Sequence, residues 1–341
     1  MEDDQGTQPP AGATPPAQTI ASIPGAAAPV RKLEVNKLSY HGQMGALYRL
    51  WFAQFFLSIL TLGIYHFWGK TNLRRYLLGS LELGGDRLEY FGTGKELFLG
   101  MLKILPFYFV FAIILGAVQH INPALGGLVV WPFILYFVPV AQYSGFRYRV
   151  NRISWRGIRG FMKGSALAYG GKYLGGTLLA IVTLGLKLPA IDLARWEYQV
   201  QNARFGNMQY RFKGDPANLR KVNITTLLLA IPTLGFSRVW YAAALQREKM
   251  RGLSLGNIRF RFSATGGDLL KFQLANLAIL LFTLGFGSPF VMARTMRLYA
   301  QVFAVGGDLA GLNAAQAAAG KAGDAEGLLD VLDVDIGLIG A

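Results

Sequence analysis

Arginine supplies most of the material for chemistry in this chain. Guanidinium groups cluster at Arg74 and Arg75, at Arg147, Arg149 and Arg152, and at Arg247 and Arg251 with Lys249 between them. A planar guanidinium presents paired donors that match two phosphate or carboxylate oxygens, so these clusters are candidate sites for anionic lipid headgroups or a soluble anion. The competing reading is that they are topogenic charges flanking membrane spans. Lys103 and Lys172 stand within or at the edge of apolar runs, which makes them candidates for an intramembrane pathway for an anionic solute; long side chains that snorkel to the interface are the alternative.

Other chemistries lack raw material. The chain has no Cys and three His, His41, His66 and His120, each far from the others in sequence, so neither a thiolate nucleophile nor a His-built metal site can be assembled. No Asp or Glu falls inside the apolar segments, which disfavours proton- or cation-coupled carriage. The expectation is a non-enzymatic protein with no metal and no cofactor.

The elements that must position the bases are apolar. Of 341 residues 52% are hydrophobic and 16% charged, with mean hydropathy +0.33, which is too apolar for an ordinary soluble chain. The 34 Lys+Arg against 19 Asp+Glu give +15, yet residues 1–30 hold three acids and no base, and 320–341 hold five acids and one Lys. The body, 31–319, therefore carries 33 bases against 11 acids. A basic body on apolar spans predicts a membrane protein attracted to anionic lipid, with nucleic acid the weaker reading. The first thirty residues, rich in Pro and Ala and without a basic start or an apolar run, read as a disordered tail rather than a signal peptide.

Apolar segments fall at about 50–69, 97–118, 124–146, 173–186, 222–237 and 272–293. Thr-Leu-Gly recurs at Thr61-Leu62-Gly63, Thr183-Leu184-Gly185, Thr233-Leu234-Gly235 and Thr283-Leu284-Gly285, the last three 50 residues apart. Counting 23 residues from each Thr reaches Gly84, Gly206, Gly256 and Gly306, and counting 14 reaches Arg75, Glu197, Arg247 and Arg297, with Arg195 near the mismatch. A degenerate unit starting at Phe133 places Arg147 at the same offset, with 97–118 as an extra span inserted after the first unit. Each unit reads as apolar helix, TLG, basic amphipathic helix, Gly, short strand; alternation at 208–212 and 258–262 supplies the strand signal. The glycine 23 residues on is expected at the helix C-terminus, in left-handed conformation. The aromatics Tyr65, Trp68, Tyr76, Trp131, Trp196 and Trp240 fit an interfacial belt.

The first unit, Leu60-Thr61-Leu62-Gly63-Ile64-Tyr65-His66-Phe67-Trp68-Gly69-Lys70 followed by Arg74-Arg75-Tyr76 and the 84–94 strand region, resembles the YjgN family of bacterial inner-membrane proteins. Later copies lose the Tyr and Trp. The resemblance implies a multi-pass inner-membrane protein of a family without an established biochemical function, and it brings no catalytic residues.

Uncharged windows of 20 and 22 residues, at 50–69 and 272–293, are long enough to span, whereas 173–186 and 222–237 hold 14 and 16. If each of the last two crossed once, the basic 192–221 connection would lie opposite its basic neighbours, against the positive-inside rule. Either some TLG units are re-entrant hairpins, or they cross with an imperfect charge bias. The fold expected is an all-α polytopic membrane protein of about 50-residue pseudo-repeats, with minor β content in membrane-proximal arms on the cytoplasmic face. Its domains are a tail over 1–37, a YjgN-like transmembrane region over 38–313 and an acidic tail over 314–341, in which 328–335 could dock on the basic arms. The function expected is a membrane scaffold or a protein that interacts with anionic lipid, the alternative being a transporter or channel for an anionic solute.

Overall fold

Glycine decides where the strands turn. At Gly84-Gly85 and Arg156-Gly157 both turn residues have positive φ, between 54° and 88°, the pattern of a type I′ hairpin. Gly206 and Gly256 have φ of 55° and 56° and are each followed by Asn, as in a type II′ turn. The glycine expected to stop a helix in units one, three and four therefore sits inside a β-hairpin. Both roles require the left-handed region, so the residue type alone did not separate them.

The computed structural model describes residues 35–307 and 309. Strand β1 (Val35–Tyr40) leads into helices α1 (Met44–Leu60) and α2 (His66–Gly79) and strands β2 (Leu81–Leu83) and β3 (Asp86–Tyr90). Helices α3 (Gly94–Ile121) and α4 (Pro123–Asn151) precede β4 (Ile153–Trp155) and β5 (Ile158–Met162). Next come α5 (Ala166–Val182), α6 (Leu188–Gln201), β6 (Ala203–Phe205), β7 (Met208–Gln209) and β8 (Arg211–Phe212). Then follow α7 (Ala217–Leu228), α8 (Arg238–Gly252), β9 (Leu253–Leu255) and β10 (Ile258–Phe262), and finally α9 (Gly266–Phe282), α10 (Ser288–Val302) and β11 (Phe303–Gly306).

The all-α expectation with minor β content is overturned. Eleven strands form one antiparallel sheet in the order β7-β6-β5-β4-β3-β2-β1-β11-β10-β9-β8. Its two edges, β7 and β8, are halves of a single segment joined through Tyr210, so the sheet curls into a ring that this seam all but closes. Strand β1 lies between the first and last hairpins, with Leu38 opposite Leu83 of β2 and Asn36 opposite Val305 of β11. An isolated hairpin is marginal in water, and the sheet gives every hairpin but the edge pair β6–β7 a strand on both sides. Its inner face gathers Trp155, Leu255, Ile258, Val305 and Leu309, with Leu83, Leu88, Phe205 and Phe260 packed against them. Along β10, Ile258 is buried and Phe260 half-buried, while Arg259 and Arg261 are exposed, as a period of two requires.

The six apolar segments are not six candidate spans. Among the described residues two helices have the length and apolarity to cross a bilayer, Gly94–Ile121 and Leu125–Asn151. They form one pair that turns at Asn122, so 97–118 is the first helix of the second pair rather than an insertion, and Phe133 lies inside α4. Helices α1, α5 and α9 have 17 residues each, about 25 Å. Helix α7 stops at Leu228, four residues before Pro232, whose missing N–H could not have bonded that carbonyl. Capping starts the first helix of several pairs directly after the strands: Thr93 with Glu96 and Thr265 with Asp268 form capping boxes, and Ser165 accepts from the Ala168 N–H at 3.2 Å. Residues 35–37, assigned to the first tail, belong to β1. The remaining expectations for 1–34, for the acidic tail and for docking by 328–335 lie outside the described residues.

The pairing of β1 with β11 is open to direct test because the chain has no Cys. Lys37 and Ala304 are register partners, a separation that a disulfide can bridge. A Lys37→Cys, Ala304→Cys chain is expected to form an intramolecular crosslink on mild oxidation, read by mass spectrometry. A chain that stays fully reduced would place these strands apart.

Candidate functional site: apolar hairpin tips and a basic groove

At each TLG the chain reverses through one set of bonds. The Leu62 N–H donates to Ile59 O at 3.2 Å and the Gly63 N–H to Ser58 O at 2.7 Å, the two bonds of a Schellman motif. The same pair recurs at Leu184 and Gly185, at Leu234 and Gly235, and at Leu284 and Gly285. At three of the four turns the Thr hydroxyl joins both helices: Thr61 Oγ1 donates to Leu57 O at 2.7 Å and accepts from the Tyr65 N–H at 2.9 Å, and Thr233 and Thr283 do likewise, whereas Thr183 Oγ1 bonds only back to Leu179 O and Ala180 O. From Thr61 to His66 every backbone N–H has an acceptor inside the turn.

The leucines at these turns are the anomaly. Leu62, Leu184, Leu234 and Leu284 have φ of 47–51°, a region that costs a non-glycine residue about 1 kcal/mol or more. They are also 95%, 80%, 88% and 87% exposed. Around them Phe56, Ile59, Leu60, Ile181, Val182, Ile231, Leu281 and Phe282 are exposed too, and α3 and α4 present Tyr108, Phe109, Ile113, Leu128 and Trp131. A contiguous apolar surface of this kind marks contact with a membrane or a partner.

The predicted bases divide by role. Arg75 donates to Gly92 O at 3.2 Å, Arg147 to Gly164 O at 3.1 Å and Arg247 to Ala264 O at 2.7 Å, in each case 17 residues on, at the corner where strand gives way to the next helix. Arg147 is 7% exposed. Arg152 binds both oxygens of Glu96, at 3.1 and 3.0 Å, and Glu96 also receives the Tyr148 hydroxyl at 2.9 Å. Arg195, beside the Glu197 mismatch, stacks 3.7 Å from the Tyr173 ring centroid and donates to Tyr173 O and Thr177 Oγ1, tying α6 to α5. Lys249 lies over the Trp196 ring. Arg74 and Arg149 line a cavity of about 390 Å³ with Lys70. Lys103 and Lys172 are exposed on α3 and α5, and neither lines the cavities described here, so the structure does not bring them into one route.

A groove of about 730 Å³ is lined by four bases, Arg247 and Arg251 from α8 and Arg259 and Arg261 from β10. Its floor is Ser263, Ala304 and Gly306. Glu248 is the carboxylate in its lining, and that group is committed to the Asp215 N–H at 3.0 Å, to Asn218 at 3.2 Å and to Arg251. Two further bases extend the patch on the outer face of the sheet. Arg211 and Arg259 both pair in register with Ser254, and Arg261 and Lys37 both with Ala304. A small residue between two exposed bases leaves room for a tetrahedral anion to meet both. Sequence reasoning had not assigned Arg211 and Lys37; the alternation at 208–212 carried the signal for the first, but the pairing of β1 carried none. Among the described residues no three His, Asp or Glu come close enough to hold a metal ion.

The two kinds of arginine should respond differently to substitution. Arg147→Gln removes a buried charged donor from the Gly164 carbonyl and is expected to cost about 2 kcal/mol. Arg261→Gln is expected to leave stability within about 0.5 kcal/mol of the parent. Thermal unfolding of the purified proteins in one detergent checks both, and equal losses would remove the distinction.

The chain matches the family described as bacterial protein of unknown function (DUF898) over residues 35–235 and 222–331. It is 26% identical over 123 residues to the inner membrane protein YjgN of Salmonella typhimurium, covering 36% of this chain and 30% of that protein. To the inner membrane protein YjgN of Escherichia coli O157:H7 it is 30% identical over 120 residues, covering 35% and 29% of the two chains. The matched segment thus spans less than a third of either relative. No solved structure matches. By the extent of the family match, the chain belongs to the DUF898 family of bacterial proteins, the family of the YjgN inner membrane proteins.

Proposed function

We propose that this is a non-enzymatic protein of the bacterial inner membrane that sinks its helix pairs into the bilayer, keeps its strand ring at the cytoplasmic surface and binds anionic lipid headgroups in the basic groove. The observation that carries the reading is the segregation of surfaces. Exposed leucines in a strained conformation crown four of the five helix pairs, while the exposed bases Arg211, Arg259, Arg261 and Lys37 stand on the ring.

Helix length and turn chemistry support the insertion. Hydrocarbon excludes a reversal of the chain unless its backbone donors are satisfied internally, and the turns at Thr61, Thr233 and Thr283 meet that condition. Helices of about 25 Å fall short of the roughly 30 Å core, so the α1, α5 and α9 pairs dip in and return, whereas α3 and α4, at about 42 Å, traverse it. Each pair with both flanks described leaves a strand and returns to one. The basic segments 147–163, 192–221 and 247–271 then share one face, which removes the conflict with the positive-inside rule. On this reading the units are copies of one element, the second enlarged to cross. An anion carrier built on Lys103 and Lys172 has no observation in its favour.

Binding of phosphatidylglycerol to the protein in neutral detergent tests the groove. An Arg259→Gln, Arg261→Gln protein is expected to bind about thirtyfold more weakly, at about fivefold per base, and the parent's affinity should fall with salt. Equal affinity for a zwitterionic lipid would sink the reading. Single Cys at Asn207 and Asn257 should label from one side of the membrane, while Cys at Leu62 and Leu234 should resist impermeant reagents from both.

A further inference from the structure

We infer that the protein also holds a single-chain anionic amphiphile, with its hydrocarbon in the strand ring and its charged head against Lys70, Arg74 and Arg149. This goes beyond the headgroup reading of the outer groove and uses different residues.

Two adjoining cavities carry the inference. The first, about 390 Å³, is lined by Lys70 and Arg74 of α2 and Arg149 of α4, with Leu73, Leu77 and Met292 among its apolar walls and, among the described residues, no carboxylate in its lining. The second, about 250 Å³, is the interior of the ring, where Leu83, Trp155, Phe205, Leu255 and Val305 face one another. Ile153 lines both, and the consecutive residues Arg149 and Val150 face one cavity each. The end of α4 and the start of β4 therefore border both a cationic chamber and an apolar one, where one ligand can reach from the first into the second.

The chemistry of each chamber selects half of a ligand. Protein interiors are close-packed, and an apolar void of this size forfeits the contacts its lining would otherwise make. Water fills such a space only where several polar partners surround it. The ring offers few: the Trp155 indole is spent on Leu83 O at 3.1 Å, and the Tyr210 hydroxyl is so enclosed that burial pushes its pKa up to about 12. The volume takes roughly eight groups of water size, the scale of one medium stretch of acyl chain rather than two chains. At the mouth, three bases of one sign select an anion. All three already hold interactions within the protein, so an entering carboxylate or phosphate exchanges partners rather than meeting bare charges.

Photolabelling the full chain in zwitterionic nanodiscs tests this. The probes are a fatty acid and a lysophosphatidic acid, each with a diazirine at the chain terminus, and a long-chain alcohol with the same tag. The two acids are expected to label peptides carrying 153–160, 205–210 and 255–260 at least tenfold above the alcohol; labelling by one acid alone supports the site and identifies the source of the head. Untagged fatty acid should abolish ring labelling, each added methylene strengthening competition about fourfold until the ring is full. Arg74→Gln with Arg149→Gln should lower ring labelling about tenfold, and Lys103→Gln should not; Lys70→Gln alone serves if the double variant does not fold. Labels confined to the outer faces of α1 or α3, or equal ring labelling by the alcohol, overturn the inference. Because the protein is already inserted in zwitterionic lipid, such a failure leaves the headgroup reading untouched, and a failure in the phosphatidylglycerol experiment leaves this one intact.

Discussion

Antiparallel pairing of one six-residue strand with two distant partners is the constraint on which this architecture rests. β1 fills the place between β2 and β11, so the hairpin nearest the start of the described chain and the last strand are held by the same short segment. Without it the sheet would have four edges instead of a single seam, and unpaired strand edges invite association with other chains. The helix pairs inherit their placement from the ring: α2, α4, α6, α8 and α10 each run directly into a strand, and α1, α3, α5, α7 and α9 each follow one. Their mutual order is therefore set at their bases, and their tips need only local turns.

Those local turns were the most legible feature of the chain. The 50-residue step between the last three TLG copies pointed to one shared element and left open whether the chain reverses there or crosses; the structure reverses it, with Leu exposed in a costly conformation, Gly at positive φ and, at Thr61, Thr233 and Thr283, a bridging hydroxyl. Strands at 258–262 and 208–212 were also readable, because apolar and basic residues alternate over five positions. The partners β2, β4, β6 and β9 were not, since three residues are too few for a period of two to declare itself. The sheet as a whole was hidden for another reason: its decisive pairing joins Asn36 to Val305, and no local pattern encodes a neighbour that far along the chain.

The arginines show the same division. Their composition announced affinity for anions, but several spend that affinity on the protein itself. A guanidinium 17 residues ahead of a corner carbonyl is a recurring clamp in three places, invisible as a helical or strand period because it spans two element types. Others stand exposed on the outward face of the ring, beside Ser254 and Ala304. Abundance of a residue type indicated a chemistry; only three-dimensional placement divided that chemistry between holding the fold and meeting the surroundings.

Val35 and Gly306 are register partners, so the two ends of the described chain meet across one ladder. Topologically the unit order is a cycle, and the linear sequence is that cycle written from one arbitrary point. A circularly permuted chain, opened at another corner between a strand pair and a helix pair, would retain every strand neighbour and every helix partner. Which unit is synthesised first is thus a matter for folding order and membrane insertion, since the finished ring has no preferred beginning.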